Sequence, residues 1–319
     1  MSKRNIFRVL KTIAIAAMGV LLVACGNGEE TSEDGEGETP ETLNVISSFS
    51  ILTDMVEEIG GEYVDVHNLV PIGTDPHDYE PLPEDIKAAT DADILLYNGL
   101  NLEGGENGWF FKLVNSVDQP DDNIYEIAKD VEPMYLADEE GQQEVNPHAF
   151  LSPQVGIQMA ETVRDALVEE KPDQAEYFEQ TATDYIEQLE QIDTDYTEGI
   201  GNIPEEDRVF IASEQAFQYM TDEYGLKEGY IWAIDTDENG SPDQIRNAIE
   251  FVNEEQPNVL FVESNVDTRP METVSSETGV EIYDRPVLSD EIGSPGEEGD
   301  TYVKYLEYNL DVITDGLTK

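Results

Sequence analysis

Cysteine is almost absent: the 319 residues hold one, Cys25. That excludes an intramolecular disulfide and any cysteine-based zinc site. Histidine is scarce too, with His67, His77 and His148 the only three. Basic residues are few, 16 against 72 acidic ones, for a formal net charge of −56. Four of the 16, Lys3, Arg4, Arg8 and Lys11, lie in the first 24 residues, which contain no acid; without that segment the charge is 12 − 72 = −60. Such a charge repels nucleic acid and anionic lipid surfaces, which excludes DNA or RNA binding. Long apolar runs are missing as well. The only candidate, Ile13 to Ala24 broken at Gly19, is shorter than the roughly 20 residues a membrane span needs.

The acid is spread through every segment instead of forming one tail. A single block would suggest a disordered arm. Dispersed acid suggests a solvated surface adapted to high salt, where screening reduces self-repulsion, and so a halophilic or haloalkaliphilic source. The expectation is a melting temperature that falls when molar salt is dialysed away; equal values in salt and dilute buffer would contradict it.

What is present at the start is an address. A basic stretch precedes the apolar run, which ends Leu22-Val23-Ala24-Cys25. The run has the length of a signal-peptide core. The arrangement resembles a bacterial lipoprotein signal, which implies cleavage before Cys25 and a diacylglyceryl group on it. Two acyl chains hold a protein at a membrane stably, whereas one anchors it marginally. Residues 1–24 are therefore expected to be the signal peptide. Residues 25–42, rich in Gly, Glu, Ser and Thr after the cysteine, are expected to be a disordered acidic tether.

From Leu43 strand-like and helix-like patterns alternate. LNVISS, YVDVHNLV and DADILLYNG read as strands, with a helix from Ile51 to near Gly60-Gly61. This is β-α-β logic and predicts a mostly parallel sheet flanked by helices. A helix starts at Ser152-Pro153 and runs to about Lys171, where Pro172 interrupts it. Beyond it Phe178, Ala182, Tyr185, Leu189, Ile192 and Tyr196 recur every three or four residues. That spacing predicts one long helix, from about Asp173 to Thr197, with a single apolar face. Its position near the middle of the mature chain favours a stiff connector between lobes over a surface helix. Alternation then resumes with DRVFIAS, GYIWAID, NVLFVES and VEIYDRP as strands. A helix opens at Ser241-Pro242-Asp243-Gln244, which carries a capping box, and a last helix spans about Asp300 to Leu317. The expected fold is α/β: lobes at 43–172 and 201–319 joined by a rigid helix at 173–200.

His77 lies in GTDPHDYEPLPED and His148 in NPHAFLSP, each after an acid or amide and a proline. Proline fixes its own φ and biases its predecessor toward extended structure, giving a rigid mount for a ligand. Glu214 follows VFIAS and Asp290 ends RPVLSD, so both project beyond strand-like runs, the edge where open α/β sheets bind ligands. Each of these groups taken alone reads more readily as structural or exposed than as a ligand.

The stretches DPHDYEPLPEDIKAATDADILLYNGLNLE, NPHAFLSP, SEQAFQYM, FVESNVDTRPMETVS and EEGDTYVKYLEYNLD are specific. They resemble the metal-binding lipoproteins of manganese and zinc ABC importers, and the likeness runs from about Leu43 to the end. The resemblance implies two α/β lobes on one long helix, and a metal held by His77 and His148 from the first lobe and Glu214 and Asp290 from the second. It also implies a monomer, lipid-anchored at the extracytoplasmic face of the cell membrane, that delivers a divalent ion to a membrane permease. Two neutral imidazoles and two carboxylates balance a divalent cation, and a neutral ion site is far cheaper to bury than a charged one.

Zinc members of the family usually have histidine as the third ligand, and often a His- and acid-rich loop after the first. This chain has Glu214, and no histidine between His77 and His148. Hard, potentially bidentate oxygen favours Mn(II) over tetrahedral Zn(II), although intrinsic affinity rises from Mn(II) toward Zn(II). Mn(II) is the expected cargo and Zn(II) the alternative. A metalloenzyme is disfavoured because no HExxH helix is present and a four-residue cage leaves no open coordination position. A role in cell adhesion, the third reading, would need an exposed partner patch. His67, among apolar neighbours in YVDVHNLV, is expected to pack and not to ligate. Glu263 in FVES is expected to be a supporting hydrogen-bonding group.

Overall fold

The computed structural model describes residues 42–137, 143–234 and 240–319. Cys25 and the signal and tether segments before residue 42 lie outside the described residues.

The first lobe opens with strand β1 (Leu43–Ser47), helix α1 (Ser50–Gly60) and strand β2 (Val64–Asn68), followed by α2 (Pro83–Asp91) and β3 (Ile94–Tyr97). Helix α3 (Trp109–Val117) and strand β4 (Ile124–Glu126) complete it. The four strands form one sheet in the order β2-β1-β3-β4, every pair parallel. Parallel strands covered on both faces read as continuous apolar runs. In β3, accordingly, Ile94, Leu95 and Leu96 are all buried. A short antiparallel ribbon, β5 (Tyr135–Ala137) with β6 (Gln143–Val145), follows; nothing in the sequence pattern foretold it.

Helix α4 (Pro153–Glu170) starts at the predicted Ser152-Pro153, and a 3₁₀ turn over Pro172–Gln174 separates it from α5 (Ala175–Gly201). At 27 residues α5 is the long helix the spacing predicts, shifted by two residues at its start. Its buried side chains are Phe178, Ala182, Tyr185, Leu189, Ile192, Tyr196 and Ile200. The stripe packs on α1 and α4 of the first lobe and continues onto the second. The Thr181 hydroxyl donates to the Ile59 carbonyl at 2.6 Å, and the Tyr196 hydroxyl to the Leu306 carbonyl at 2.9 Å. One helix is thus bolted to both lobes.

The second lobe contains β7 (Val209–Ile211), α6 (Gln218–Tyr224) and β8 (Lys227–Gly229), then α7 (Pro242–Glu255), α8 (Arg269–Thr278) and α9 (Tyr302–Leu317). Strands β7 and β8 pair in parallel. Two further segments extend this layer without becoming regular strands. Phe261 donates to the Ile211 carbonyl at 2.9 Å, and isolated bridges join Leu260 to Ile282 and Glu263 to Val287. The order 227–229, 209–211, 259–264, 281–287 therefore repeats that of the first lobe.

All four of the expected strands are shorter or broken here. Regular pairing in the expected strand GYIWAID ends at Gly229; beyond it Ile231 and Trp232 N–H donate to the Ser213 carbonyl, the Trp232 carbonyl accepts from Gln215 N–H, and Asp235 lies outside the described residues. Between Tyr283 and Val287 the last ladder lapses, because the step from 283 to 287 covers four residues against only two, from 260 to 262, on the neighbouring segment. Side chains still alternate. Phe210 and Phe261 enter the large core with α5 and α9, while Ile211, Leu260 and Val262 face a smaller core with α7 and α8. The capping box is formed at α7, with Gln244 N–H donating to Ser241 Oγ at 3.3 Å and Ser241 N–H donating to Gln244 Oε1 at 2.9 Å.

Candidate metal centre

His77 and His148 sit in the same local device. In each, the residue before proline turns its side-chain oxygen back onto the histidine N–H. Asp75 Oδ1 accepts from His77 at 2.7 Å, and Asn146 Oδ1 accepts from His148 at 3.1 Å. These are Asx-turns closed over a proline, and they explain the repeated acid-or-amide, proline, histidine pattern. Trp109 Nε1 pins the first loop by donating to the Pro76 carbonyl at 2.8 Å. Asn98, at the end of β3, holds the second by donating to the Pro147 carbonyl at 3.2 Å.

The four expected site residues converge where the lobes meet. His77 Nε2 and His148 Nε2 are 3.1 Å apart. Asp290 Oδ1 stands 3.1 Å from His148 Nε2 and 3.9 Å from His77 Nε2, and Glu214 Oε1 is 3.8 Å from His148 Nε2. One ligand atom from each of His77, His148 and Asp290 fits within a 4.8 Å group. Two nitrogens bound to one ion at about 2.1 Å would be about 3 to 3.5 Å apart, so the spacing suits a shared cation. His148, Glu214 and Asp290 are buried, while His77 keeps 11% of its side chain exposed.

The supporting groups divide the work. Asp290 Oδ2 accepts from Asn265 Nδ2 at 2.9 Å and from the Ser289 hydroxyl at 3.0 Å. Its Oδ1 faces the imidazoles, 3.1 Å from His148 Nε2. Burial raises the Asp290 carboxyl, but its contacts with the His148 and His77 imidazoles and the Asn265 amide outweigh it and hold the group well below the carboxylate range. Burial, aided by His148, pushes His77 down against the pull of Asp290 and Asp75. Both directions favour the forms that ligate a cation, a bare imidazole nitrogen and an ionised carboxylate.

Glu263 accepts the backbone N–H of Glu214 at 2.8 Å and of Ser213 at 3.1 Å, so it fixes the chain that carries Glu214. Burial pushes its carboxyl up to about 7 even though these N–H groups pull the other way. The first lobe has a counterpart. Glu103 accepts Asn98 N–H at 2.7 Å and Gly99 N–H at 3.3 Å, and burial likewise raises it to about 7. His67 is not in the cluster. Its Nε2 lies 2.7 Å from Asp85 Oδ1, and Asp85 Oδ2 accepts from the Tyr79 hydroxyl and from Leu82 N–H, both at 2.7 Å. His67 thus steadies the loop after His77 through hydrogen bonds and not through apolar packing. Asn146 and Asn265 escaped sequence reasoning; only the amide-proline-histidine spacing pointed toward Asn146.

A two-lobed α/β protein with imidazoles from one lobe facing carboxylates from the other is built as a cation-binding protein. Residues 45–316 match the family described as "Zinc-uptake complex component A periplasmic", and the chain belongs to that family. It is 40% identical over 299 residues to the metal ABC transporter substrate-binding lipoprotein SsaB of Streptococcus sanguinis, covering 93% of this chain and 95% of that one. It is 39% identical over 301 residues to the manganese ABC transporter substrate-binding lipoprotein PsaA of Streptococcus pneumoniae strain TIGR4, covering 94% and 96%. Among solved structures, the Mn-bound periplasmic metal binding protein of Candidatus Liberibacter asiaticus superposes with a TM-score of 0.74 at 26% identity, over 86% of this chain and 98% of that one. The periplasmic zinc binding protein TroA of Treponema pallidum reaches 0.78 at 24% identity, over 86% and 99%, and speaks for the fold alone. SsaB and PsaA are named as substrate-binding components of ABC transporters and not as enzymes. No helix among the described residues is long and apolar enough to cross a membrane.

Proposed function

We propose that this chain serves a metal ABC importer by capturing Mn(II) between lobes 43–172 and 201–319, with His77, His148, Glu214 and Asp290 as ligands. It then delivers the ion to the membrane permease while Cys25 anchors it, as a monomer, at the extracytoplasmic face. The observation that carries this reading is the convergence of His77 Nε2, His148 Nε2 and Asp290 Oδ1 within 4.8 Å. The charge of two neutral imidazoles and two carboxylates cancels that of a divalent cation, so the ion can be buried where the lobes meet. Manganese is favoured by Glu214 as a hard oxygen donor and by the PsaA relatives. Zinc is the second reading, supported by the family description.

The test starts from the membrane fraction, where Cys25 holds the protein and Cys25→Ala does not. Protein purified without chelator is expected to carry about one equivalent of manganese by elemental analysis and to retain it in direct competition with zinc at cellular concentrations. Zinc at one equivalent would select the second reading. Absence of any divalent transition metal, with none bound on addition, would overturn the proposal.

A further inference from the structure

Asn146 is fully buried and every polar atom it has is engaged. Its backbone N–H donates to the Met134 carbonyl at 2.8 Å, and its carbonyl accepts from the Tyr219 hydroxyl at 2.9 Å. Its side-chain Oδ1 accepts from His148 N–H at 3.1 Å and lies 2.8 Å from His148 Nδ1. Its Nδ2 donates to the Gln215 carbonyl at 3.0 Å and to Gln218 Oε1 at 3.1 Å.

Two of these partners can play only one role. A backbone N–H only donates and a backbone carbonyl only accepts, so His148 N–H and the Gln215 carbonyl fix which end of the amide is oxygen. With Oδ1 on the His148 side, Nδ1 must carry the ring proton. His148 Nε2 is then bare, and this is the nitrogen that faces His77, Asp290 and Glu214. The other end of the same amide reaches the opposite lobe. Gln215 directly follows Glu214, and its own N–H is tied to the Trp232 carbonyl at 3.0 Å, so the segment Asn146 holds is itself anchored.

We infer that Asn146 is a positioning residue that sets the span of the cage, one carboxamide fixing the His148 tautomer in the first lobe and the Glu214 segment in the second. The inference rests on the metal-binding reading above and adds a source of selectivity to it. Mn(II) stands low in the intrinsic affinity order, so a site that keeps it against Zn(II) must do so through ligand type and geometry. Loosening the span releases that constraint and favours the ion of higher intrinsic affinity. Outer groups that orient a metal-binding imidazole are commonly worth about 10- to 100-fold in affinity.

Two variants of the full chain separate the two ends of the amide. Asn146→Ala removes both. It is expected to lose the Nδ1–H preference of His148, read from imidazole ¹⁵N shifts in metal-free protein, and to weaken Mn(II) binding about 10- to 100-fold. Asn146→Asp keeps an oxygen for Nδ1–H but puts an acceptor against the Gln215 carbonyl. It is expected to retain the wild-type tautomer while its Zn/Mn affinity ratio rises roughly tenfold. An unchanged tautomer in Asn146→Ala overturns the first half, and an unchanged ratio in Asn146→Asp overturns the second. Parallel loss of both metals would mean a merely structural residue and also overturns the second half. The tautomer is read without metal, so a wild-type protein that bound no manganese or zinc would sink the metal-binding reading while leaving the role of Asn146 in holding His148 open to this measurement.

Discussion

Asp290→Ala and His148→Ala should each lower the affinity for Mn(II) by at least about 100-fold, the aspartate variant the more severely. The imidazole contributes a ligand at the centre of the cluster, with Nε2 3.1 Å from both His77 Nε2 and Asp290 Oδ1. The carboxylate contributes a ligand and half of the charge that neutralises the ion. Removing one partner of a buried charge pair costs about 3–5 kcal/mol, a factor of 10² or more in binding. Asn265 Nδ2 and the Ser289 hydroxyl, which both donate to Asp290, would lose that acceptor as well. The Ser289 hydroxyl can still donate to Asn265 Oδ1, but alanine at Asp290 leaves a net positive cage beside an unsatisfied Asn265 amide. His77→Ala and Glu214→Ala should weaken binding too, and His67→Ala should leave it near wild type, because His67 pairs with Asp85 outside the cluster. Calorimetric titration of the five variants reads the order. Thermal melting gives a second check, since an ion at about 100 times its dissociation constant stabilises the wild type by about 2.7 kcal/mol and should do nothing for a variant that cannot hold it. Full stoichiometry at wild-type affinity in any of the four would remove that residue from the site.

The parts of this molecule that periodicity encodes were legible before any coordinates. The stripe from Phe178 to Tyr196 announced α5 because each of those residues had to be buried, and β1 and β3 were announced by apolar runs covered on both faces. Ser241 and Gln244 announced the start of α7 because a capping box is local chemistry. The strands of the second lobe were less legible. Val259 to Glu263 is as apolar as a strand, yet its bridges at Leu260 and Glu263 meet Ile282 and Val287, so extra residues on the neighbouring segment break the ladder. The ribbon β5–β6 gave no signal, since three-residue strands carry too little alternation to stand out. The site divides the same way. Both histidines advertise themselves by a proline and an Asx residue. Glu214 and Asp290 are 2 of 72 acids, and only the family likeness singled them out. The contacts that organise them are remote in sequence: Glu263 reaches Glu214 from 49 residues away and Asn146 reaches Gln215 from 69. No spacing rule reports such a pair, because the fold and not the local chain brings it together.

Glu214→His is expected to invert the metal preference. Position 214 follows β7, and its backbone N–H is held by Glu263 at 2.8 Å, so a side chain placed there starts from a fixed point. Glutamate offers two hard oxygens and can expand coordination beyond four, which suits Mn(II). Histidine offers one borderline nitrogen at a time. With His77 and His148 it would make a three-imidazole, one-carboxylate set, for which tetrahedral Zn(II) is well matched. The charge changes in the same move. The wild-type ligands cancel a divalent ion, whereas the variant leaves one net positive charge in a buried place, so affinity for both metals should drop. Manganese should drop further, because it loses both the hard donor and the extra coordination contact. The Zn/Mn affinity ratio should therefore rise by about 10- to 100-fold, one to two factors of ten or roughly 1.4–2.8 kcal/mol of differential binding. Competition titration of both ions against a chelator of known affinity measures the ratio directly. Glu214→Gln supplies the control that separates charge from donor type, since it keeps the shape and an oxygen but loses the negative charge. If charge alone decided the choice, Glu214→Gln and Glu214→His would shift the ratio equally. If the hardness and denticity of the carboxylate decide it, the histidine variant shifts the ratio well beyond the glutamine one, and a histidine variant with an unchanged ratio would show that the selectivity resides elsewhere in the cage.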